Sequence, residues 1–372
     1  MVKSRAFCFA KQILNFTIST SKKPYFSYLC NMNYNRVKEW LATPKNIVIT
    51  SHKNPDGDAI GSSLGMKHYL DALGHNCTVM FPTDFPPFLA WLPDADKIIV
   101  PSMKSKEHGV NYGKSIVAAA ELIICLDFND LQRIDALGVW IAKATAPKLL
   151  IDHHIDPKDF ADEVLSEVSA SSACELVHDF IVNLGDTDKL NERIITCLFT
   201  GIYTDTGCFS YATSPKLFRT AAQLQEAFPI DYTLLYNNVF NNDSEKRLRI
   251  LGYALSQAMF VLEKYHTAVV MLTQNDYQTL DIQRGDTEGI VNNMLRMANV
   301  KFAVLITDQK TVVRLSMRSK GSFNVQEFSS RNFGGGGHRN ASGGESNDGL
   351  MATWVKFRKA LDTAPDLQTD KW

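Results

Sequence analysis

The stretch TSHKNPDGDAIGSSLG, residues 50–65, follows the apolar run NIVI and sets His52, Asp56 and Asp58 within seven positions. Residues two apart point the same way in an extended segment and come close in a tight turn, so Asp56 and Asp58 repel each other unless something lies between them. A metal ion, a lysine or arginine, or water each answers that repulsion. The same residue types recur further on: Asp127 after LIIC, then Asp152, His153 and His154 after KLLI, then Asp205 in YTDTGCF. An isolated Asp after a strand is more often a cap or turn residue, and an isolated His an ordinary hydrogen-bonding side chain. Three successive apolar runs that all end in such residues are hard to attribute to capping alone. Imidazole and carboxylate groups without thiolate suit Mn²⁺ or Mg²⁺ better than structural zinc.

These groups need a scaffold that brings strand ends together. YNRVKEWLATP reads as a short helix stopped by Pro44, and NIVITSH, CTVMF, ELIICLD and KLLIDHH read as strands separated by helical patterns. Nearly continuous apolar strands between helices indicate a parallel sheet buried on both faces, with ligands at its C-terminal edge. CELVHDFIVNLG and NERIITCLFTGIYTDTG read as helices, and Asp205 joins the cluster if the end of the second folds back onto that edge. After Pro215 the pattern is helical as far as SEKRLRILGYALSQA, then strand-like in TAVVMLT, FAVLITDQ and TVVRLSMRS, with DQK as a hairpin turn. The expectation is an α/β protein: a parallel-sheet domain over residues 32–215, a helical connector over 216–245, a smaller α/β domain over 246–361, and a frayed tail over 362–372.

Composition narrows the function classes. With 372 residues and 45% hydrophobic content the chain can bury two cores. Lys and Arg number 39 against 40 Asp and Glu, so no overall basic field exists to hold long duplex nucleic acid. The seven scattered cysteines lack CxxC spacing, which speaks against a disulfide framework or thiolate zinc site and for a reducing cytoplasm. Residues 1–31 carry five Lys/Arg and no acid, but Lys11 interrupts the apolar part and no small-residue cleavage site stands out. They are expected to be a disordered or dispensable extension. No apolar run reaches the roughly 18 residues that a membrane span needs.

NPDGDAIGS, LDFND, IDHH and YTDTGCF, in that order, resemble the four motifs of the DHH phosphoesterase superfamily. FGGGGHRNASGG, residues 333–344, resembles the signature of its DHHA1 C-terminal domain, and the combination in a chain this short resembles the stand-alone oligoribonuclease and 3′-phosphoadenosine 5′-phosphate (pAp) phosphatase type. The resemblance implies that His52, Asp56, Asp58, Asp127, His153 and Asp205 ligate two Mn²⁺ ions, with Mg²⁺ or Co²⁺ as substitutes and Asp127 bridging. It puts His154 against the phosphate and Asp152 behind the histidines, which makes these two, with Asp127, the catalytic groups. Gly335, Gly336, Gly337 and His338 would hold the terminal nucleotide, and Arg314, Arg318 and Ser319 would feed the same pocket, Arg318 as a bidentate phosphate contact. One departure is Ser342, in NASGG, where the family commonly has alanine.

The activity implied is manganese-dependent hydrolysis of very short RNA to 5′-mononucleotides, and of the 3′-phosphate of pAp, by in-line attack of a metal-bridging hydroxide. The partners implied are short single-stranded oligonucleotides and nucleotide bisphosphates, with no long duplex and no membrane, and a homodimer is an open option. A linear or cyclic dinucleotide phosphodiesterase is the nearest rival, and a non-catalytic nucleotide sensor the rival of another class.

Overall fold

The computed structural model describes residues 32–102, 109–283 and 285–369. The expectation for residues 1–31 therefore lies outside the described residues.

Five apolar segments form the first sheet: β1 (Asn46–Thr50), β2 (Asn76–Val79), β3 (Leu122–Leu126), β4 (Lys148–Asp152) and β5 (Glu163–Ser166). All pairings are parallel, in the order β2-β1-β3-β4-β5. Every residue of β3 is buried, because alternate side chains meet helices on opposite faces. Ile47, Ile49, Leu122 and Ile124 pack against Ile60, Val177 and Leu198 on one side, while Val48, Ile123 and Cys125 pack against Leu137 and Ile141 on the other. The chain runs from β1 outward to β2 and then back across to β3, so the crevice of the sheet lies at the C-terminal ends of β1 and β3. His52 and Asp127 emerge there. β5 was not anticipated, since four residues beginning with a charged Glu carry too little pattern.

The second sheet contains β6 (Met259–Leu262), β7 (Thr267–Leu272), β8 (Phe302–Asp308), β9 (Val313–Ser319), β10 (Gly336–His338) and β11 (Ala341–Ser346). Its order is β10-β11-β9-β8-β7-β6, with β7 and β8 parallel and the other pairs antiparallel. Phe302, Phe328 and Phe357 build the core on one face, and Ile250, Ala268, Ile290 and Met294 build it on the other. Helices Pro215–Ala227 and Tyr232–Phe240 lie between the two sheets in sequence. Among the described residues no helix is long and apolar enough to cross a membrane.

Two expectations change. The glycine run, which is not among the expected strands, forms β10 and turns through residues 339–340 into β11. A strand of glycines has no side chains to announce it. Gly335 is pressed flush against β11, where a Cβ would stand 1.8 Å from the Gly343 carbonyl oxygen. The end of the chain is also not frayed at Pro365–Gln368, a short 3₁₀ turn that buries Leu367 completely.

Helix Gly57–Ala72 and helix Glu192–Thr206 meet at glycines. A Cβ on Gly61 would sit 2.4 Å from the Cys197 carbonyl oxygen, and one on Gly57 would sit 2.4 Å from the Thr204 side chain. Alanine normally stabilises a helix interior by about 1 kcal/mol over glycine. Here Gly61→Ala is expected to reverse that sign and destabilise by about 1–3 kcal/mol through overpacking. Thermal unfolding followed by circular dichroism checks it, and a raised midpoint would contradict the packing described.

Candidate metal centre and substrate pocket

Asp127 lies immediately beyond β3 with φ at 61°, a left-handed conformation that turns its carboxylate back across the sheet edge. Its two oxygens face different partners. Oδ2 is 3.2 Å from His52 Nε2, and Oδ1 is 3.4 Å from His153 Nε2 and 3.6 Å from His154 Nδ1. On the His52 side Asp56 Oδ1 stands 3.9 Å from the same ring nitrogen. On the His153 side, Asp58 Oδ2 is 3.7 Å and Asp205 Oδ2 is 3.5 Å from Nε2. The three-residue groups able to hold a cation include His52 with Asp56 and Asp127, and Asp58 with His153 and Asp205. Asp127 reaches both.

Local structure explains each placement. Asp56 is the N-cap of helix Gly57–Ala72, where its Oδ1 accepts from Asp58 N and Ala59 N at 3.1 Å each. The capping role and the site role coexist. Asp58, in the first turn, is fully buried, and its oxygens accept from Ala173 N at 2.6 Å and Cys174 N at 2.9 Å, the first amides of helix Ala173–Leu184. That helix end favours negative charge. Asp205 occupies the last turn of helix Glu192–Thr206, which does fold back onto the sheet edge. Gly201 permits the approach, since a Cβ there would lie 2.6 Å from Asp58 Oδ1. His52 Nδ1 lies 2.9 Å from the Lys53 carbonyl and His153 Nδ1 3.2 Å from the Ala170 carbonyl, so both Nε2 atoms face the cluster. Asp152 bonds His154 Nδ1 at 2.7 Å, and therefore orients one histidine, not both.

The electrostatics are those of a site that wants cations. Burial and the charge of Asp127 push the Asp58 carboxyl up to about 7. Burial, then Asp58 and Asp56, holds Asp205 well above the usual carboxylate range. Burial would also raise Asp127, but His153 and His52 outweigh it and bring that carboxyl well below its ordinary value. Burial pulls His153 down, and the surrounding carboxylates reverse the sign and raise it strongly. His153 Nε2 is nevertheless a buried nitrogen with no hydrogen-bond partner. A ring nitrogen facing three carboxylates at 3.4–3.7 Å without bonding any of them fits a shared divalent cation better than it fits a hydrogen-bond network.

The second domain closes the site from above. His338, at the end of β10, brings its ring to 4.5 Å from both His153 and His154. Burial and those two histidines lower its pKa, so it is neutral. Arg318 on β9 feels the charges of Asp205 and Asp56 across the domain junction. The remaining predicted contacts divide. Gly336 faces open space, whereas Gly335 and Gly337 serve strand packing, Gly337 at φ 141° with a Cβ position 2.5 Å from the Ala341 carbonyl oxygen. Ser319 points to the other face of β9, donates to the Phe323 carbonyl at 2.7 Å and accepts from Asn340 Nδ2 at 2.8 Å, so it belongs to a turn and not to the pocket. Arg314 shares Arg318's face but lies about 13 Å along the strand, paired with Glu345 at 3.2 Å. Ser342 is buried and donates to the Gly336 carbonyl at 2.9 Å, a bond alanine would lack. The sequence reading missed Arg133, whose charge acts on His52, His154 and His338. The only signal was a lone cation six residues beyond Asp127.

A parallel sheet bearing this cluster at its crevice, closed by a glycine hairpin from a second domain, defines a two-domain phosphoesterase architecture. The model described as "DHH family, N-terminal domain" matches residues 46–202, and the DHHA1 domain model matches residues 257–368. The crystal structure of an exopolyphosphatase-related protein from Bacteroides fragilis is 34% identical, with a TM-score of 0.84 over 92% of this chain and 100% of that one. The chain belongs to the DHH family. A Streptococcus mutans protein named as a probable bifunctional oligoribonuclease and PAP phosphatase NrnA is 28% identical over 81% of this chain and 89% of its own length. A cyclic-di-AMP phosphodiesterase, PdeA, of Listeria monocytogenes is 24% identical over 89% of this chain, which spans about half of it, 49%.

A proton on Asp58 competes with a cation. Because its folded value is raised from 3.8 to about 7, the metal-free fold loses stability from this group as pH rises from the unfolded value through about 7. Cation affinity rises over the same interval, with a proton displaced on binding. Calorimetric titration with Mn²⁺ at a pH about one unit below 7, in buffers of different ionisation enthalpy, is expected to register proton release on binding. Binding without proton release there would contradict the assignment.

Proposed function

We propose that this chain is a manganese-dependent phosphoesterase that hydrolyses very short RNA oligonucleotides to 5′-mononucleotides and removes the 3′-phosphate of pAp. The observation that carries this reading is the convergence of six side chains from four separate motifs on one cluster, with Asp127 turned to both halves. His52, Asp56 and Asp127 would hold one divalent cation and Asp58, His153 and Asp205 a second, with Mg²⁺ or Co²⁺ as substitutes for Mn²⁺. Bound there, the ions would supply Lewis acidity, activating water near neutral pH and neutralising charge on phosphorus.

The chain's own residues do the rest. Asp152 fixes the ring of His154 by the 2.7 Å bond, so that Nε2 is presented outward to the phosphate. Neutral His338 can donate to a phosphate oxygen from the opposite side, and Arg318 adds a planar pair of donors beside it. Since these two come from the second domain, they grip a substrate end at a fixed distance from the cluster. Such a ruler favours very short chains, and the near-neutral net charge supplies no extended track for long ones. The five described cysteines are free, which supports a reducing cytoplasm as the location.

The likeness to a cyclic-di-AMP phosphodiesterase supports a linear or cyclic dinucleotide as a second substrate class. A sensor with a vestigial site would be expected to lack ligands, and none of the six candidate residues is missing from this sequence. Assays of purified protein with Mn²⁺ against pAp, di- and trinucleotide RNA, pApA and cyclic di-AMP are expected to rank the short linear substrates and pAp first. Preference for the cyclic dinucleotide would favour the second class, and no phosphate release from any of them would favour the sensor. Asp127→Asn should lower turnover at least about a hundred-fold with an unchanged circular dichroism spectrum; residual activity near wild type would sink the assignment.

A further inference from the structure

The loop after Asp205, GCFSYATS, is held in a conformation that ordinary residues avoid. Cys208, Phe209 and Ala212 have φ of 54°, 61° and 51°. Strain of this kind persists only where the surroundings over-determine it, and it gathers at functional sites. Four bonds to the end of the preceding helix fix the loop: Cys208 N to the Tyr203 carbonyl at 2.8 Å, Phe209 N to Thr206 Oγ1 at 2.9 Å, and Ser210 N and Tyr211 N to the Thr206 carbonyl at 2.8 and 3.0 Å. Phe209 turns inward, stacked on Phe218 at 5.6 Å and edge-on to Tyr203 at 5.5 Å. Tyr211 is half-buried, 49% exposed.

The far end of the Tyr211 ring rests on Gly207. A Cβ on Gly207 would stand 2.4 Å from Cε1 and 2.8 Å from the hydroxyl, so glycine here both ends the helix at φ 52° and makes room for the phenol. From that position Tyr211 is close enough to Asp205 and to Arg318 of the other domain for both charges to act on it. Burial, the largest influence, raises its pKa, which keeps the phenol a neutral donor at physiological pH. The loop therefore presents one hydroxyl, preset by strain, within electrostatic reach of the arginine that the second domain delivers.

We propose that Tyr211 is a specificity-determining residue whose hydroxyl, with the Arg318 guanidinium, holds the second anionic group of a nucleotide, the phosphate that is not cleaved. The assignment rests on the reading above that the site takes nucleotide phosphoesters. A bisphosphate carries two anions on opposite sides of one ribose, and the carboxylate–histidine cluster accounts for only one of them. A phenol and a guanidinium on the rim of that cluster supply donors for the other, and neither competes with the carboxylates for cations.

The deciding measurement is the ratio of affinities for adenosine 3′,5′-bisphosphate and adenosine 3′-monophosphate, obtained by calorimetry on the full chain with Ca²⁺, a weaker Lewis acid that fills the carboxylate cluster while slowing turnover. Wild type is expected to prefer the bisphosphate, and Tyr211→Phe to reduce that preference about five-fold, the worth of one hydrogen bond. Tyr211→Leu should reduce it at least as much. An unchanged ratio in Tyr211→Phe overturns the proposal, including the case in which only Tyr211→Leu changes it, since the ring and not the hydroxyl would then matter. Wild-type turnover of the same two compounds with Mn²⁺ is measured alongside. Its absence, with the binding contrast intact, would defeat the functional reading and leave the Tyr211 assignment standing.

Discussion

Mutual repulsion among four carboxylates governs the site. Asp56, Asp58, Asp127 and Asp205 converge on two histidines, with Asp58 and Asp127 buried and Asp56 open to solvent, and left alone such a cluster would open or take up protons. Three devices hold it. The first amides of helix Ala173–Leu184 bind Asp58. The helix that starts at Gly57 is capped by Asp56 itself. The left-handed turn at Asp127 spreads its two oxygens to opposite partners. What these devices leave unsatisfied, above all the nitrogen of His153, is what a pair of cations would satisfy.

The packing follows from the same requirement. Asp58 and Asp205 sit on different helices and can share His153 only if those helices touch backbone to backbone. Gly57, Gly61 and Gly201 make that contact, each at a point where a methyl group would collide. The second domain is bound to the site by fewer groups, His338 from the glycine hairpin and Arg318 from β9. On the function proposed here, the first domain would supply the hydrolytic groups and the second the gripping groups, the arrangement expected of an enzyme that measures its substrate.

Much of this was legible in the sequence, for identifiable reasons. His52, Asp127 and His153 could be placed because a parallel sheet delivers the residue after each apolar strand to one edge. Asp205 could not be placed that way, since it lies at the end of a helix; the pattern admitted it only on the condition that this helix end folds back, and the resemblance of YTDTGCF to a known motif made that an expectation. Alternation along TVVRLSMRS separates Arg318 from Ser319, which face opposite sides of β9, so Ser319 could have been excluded by period two alone. Arg314 has Arg318's parity and failed for distance, which no local pattern encodes. The glycine hairpin, Arg133 and Tyr211 were hidden for a common reason. Their significance depends on what stands opposite them in space, and the strained backbone that presents Tyr211 has no signature in residue type.

Whether these six side chains jointly hold two cations decides the function proposed for this chain. Anomalous diffraction from crystals grown with Mn²⁺, recorded at the manganese edge, tests this most directly. Two peaks about 3.5–4 Å apart, with Asp127 between them, His52 and Asp56 on one and Asp58, His153 and Asp205 on the other, is the predicted result. A single peak, or peaks away from Asp127, would contradict it.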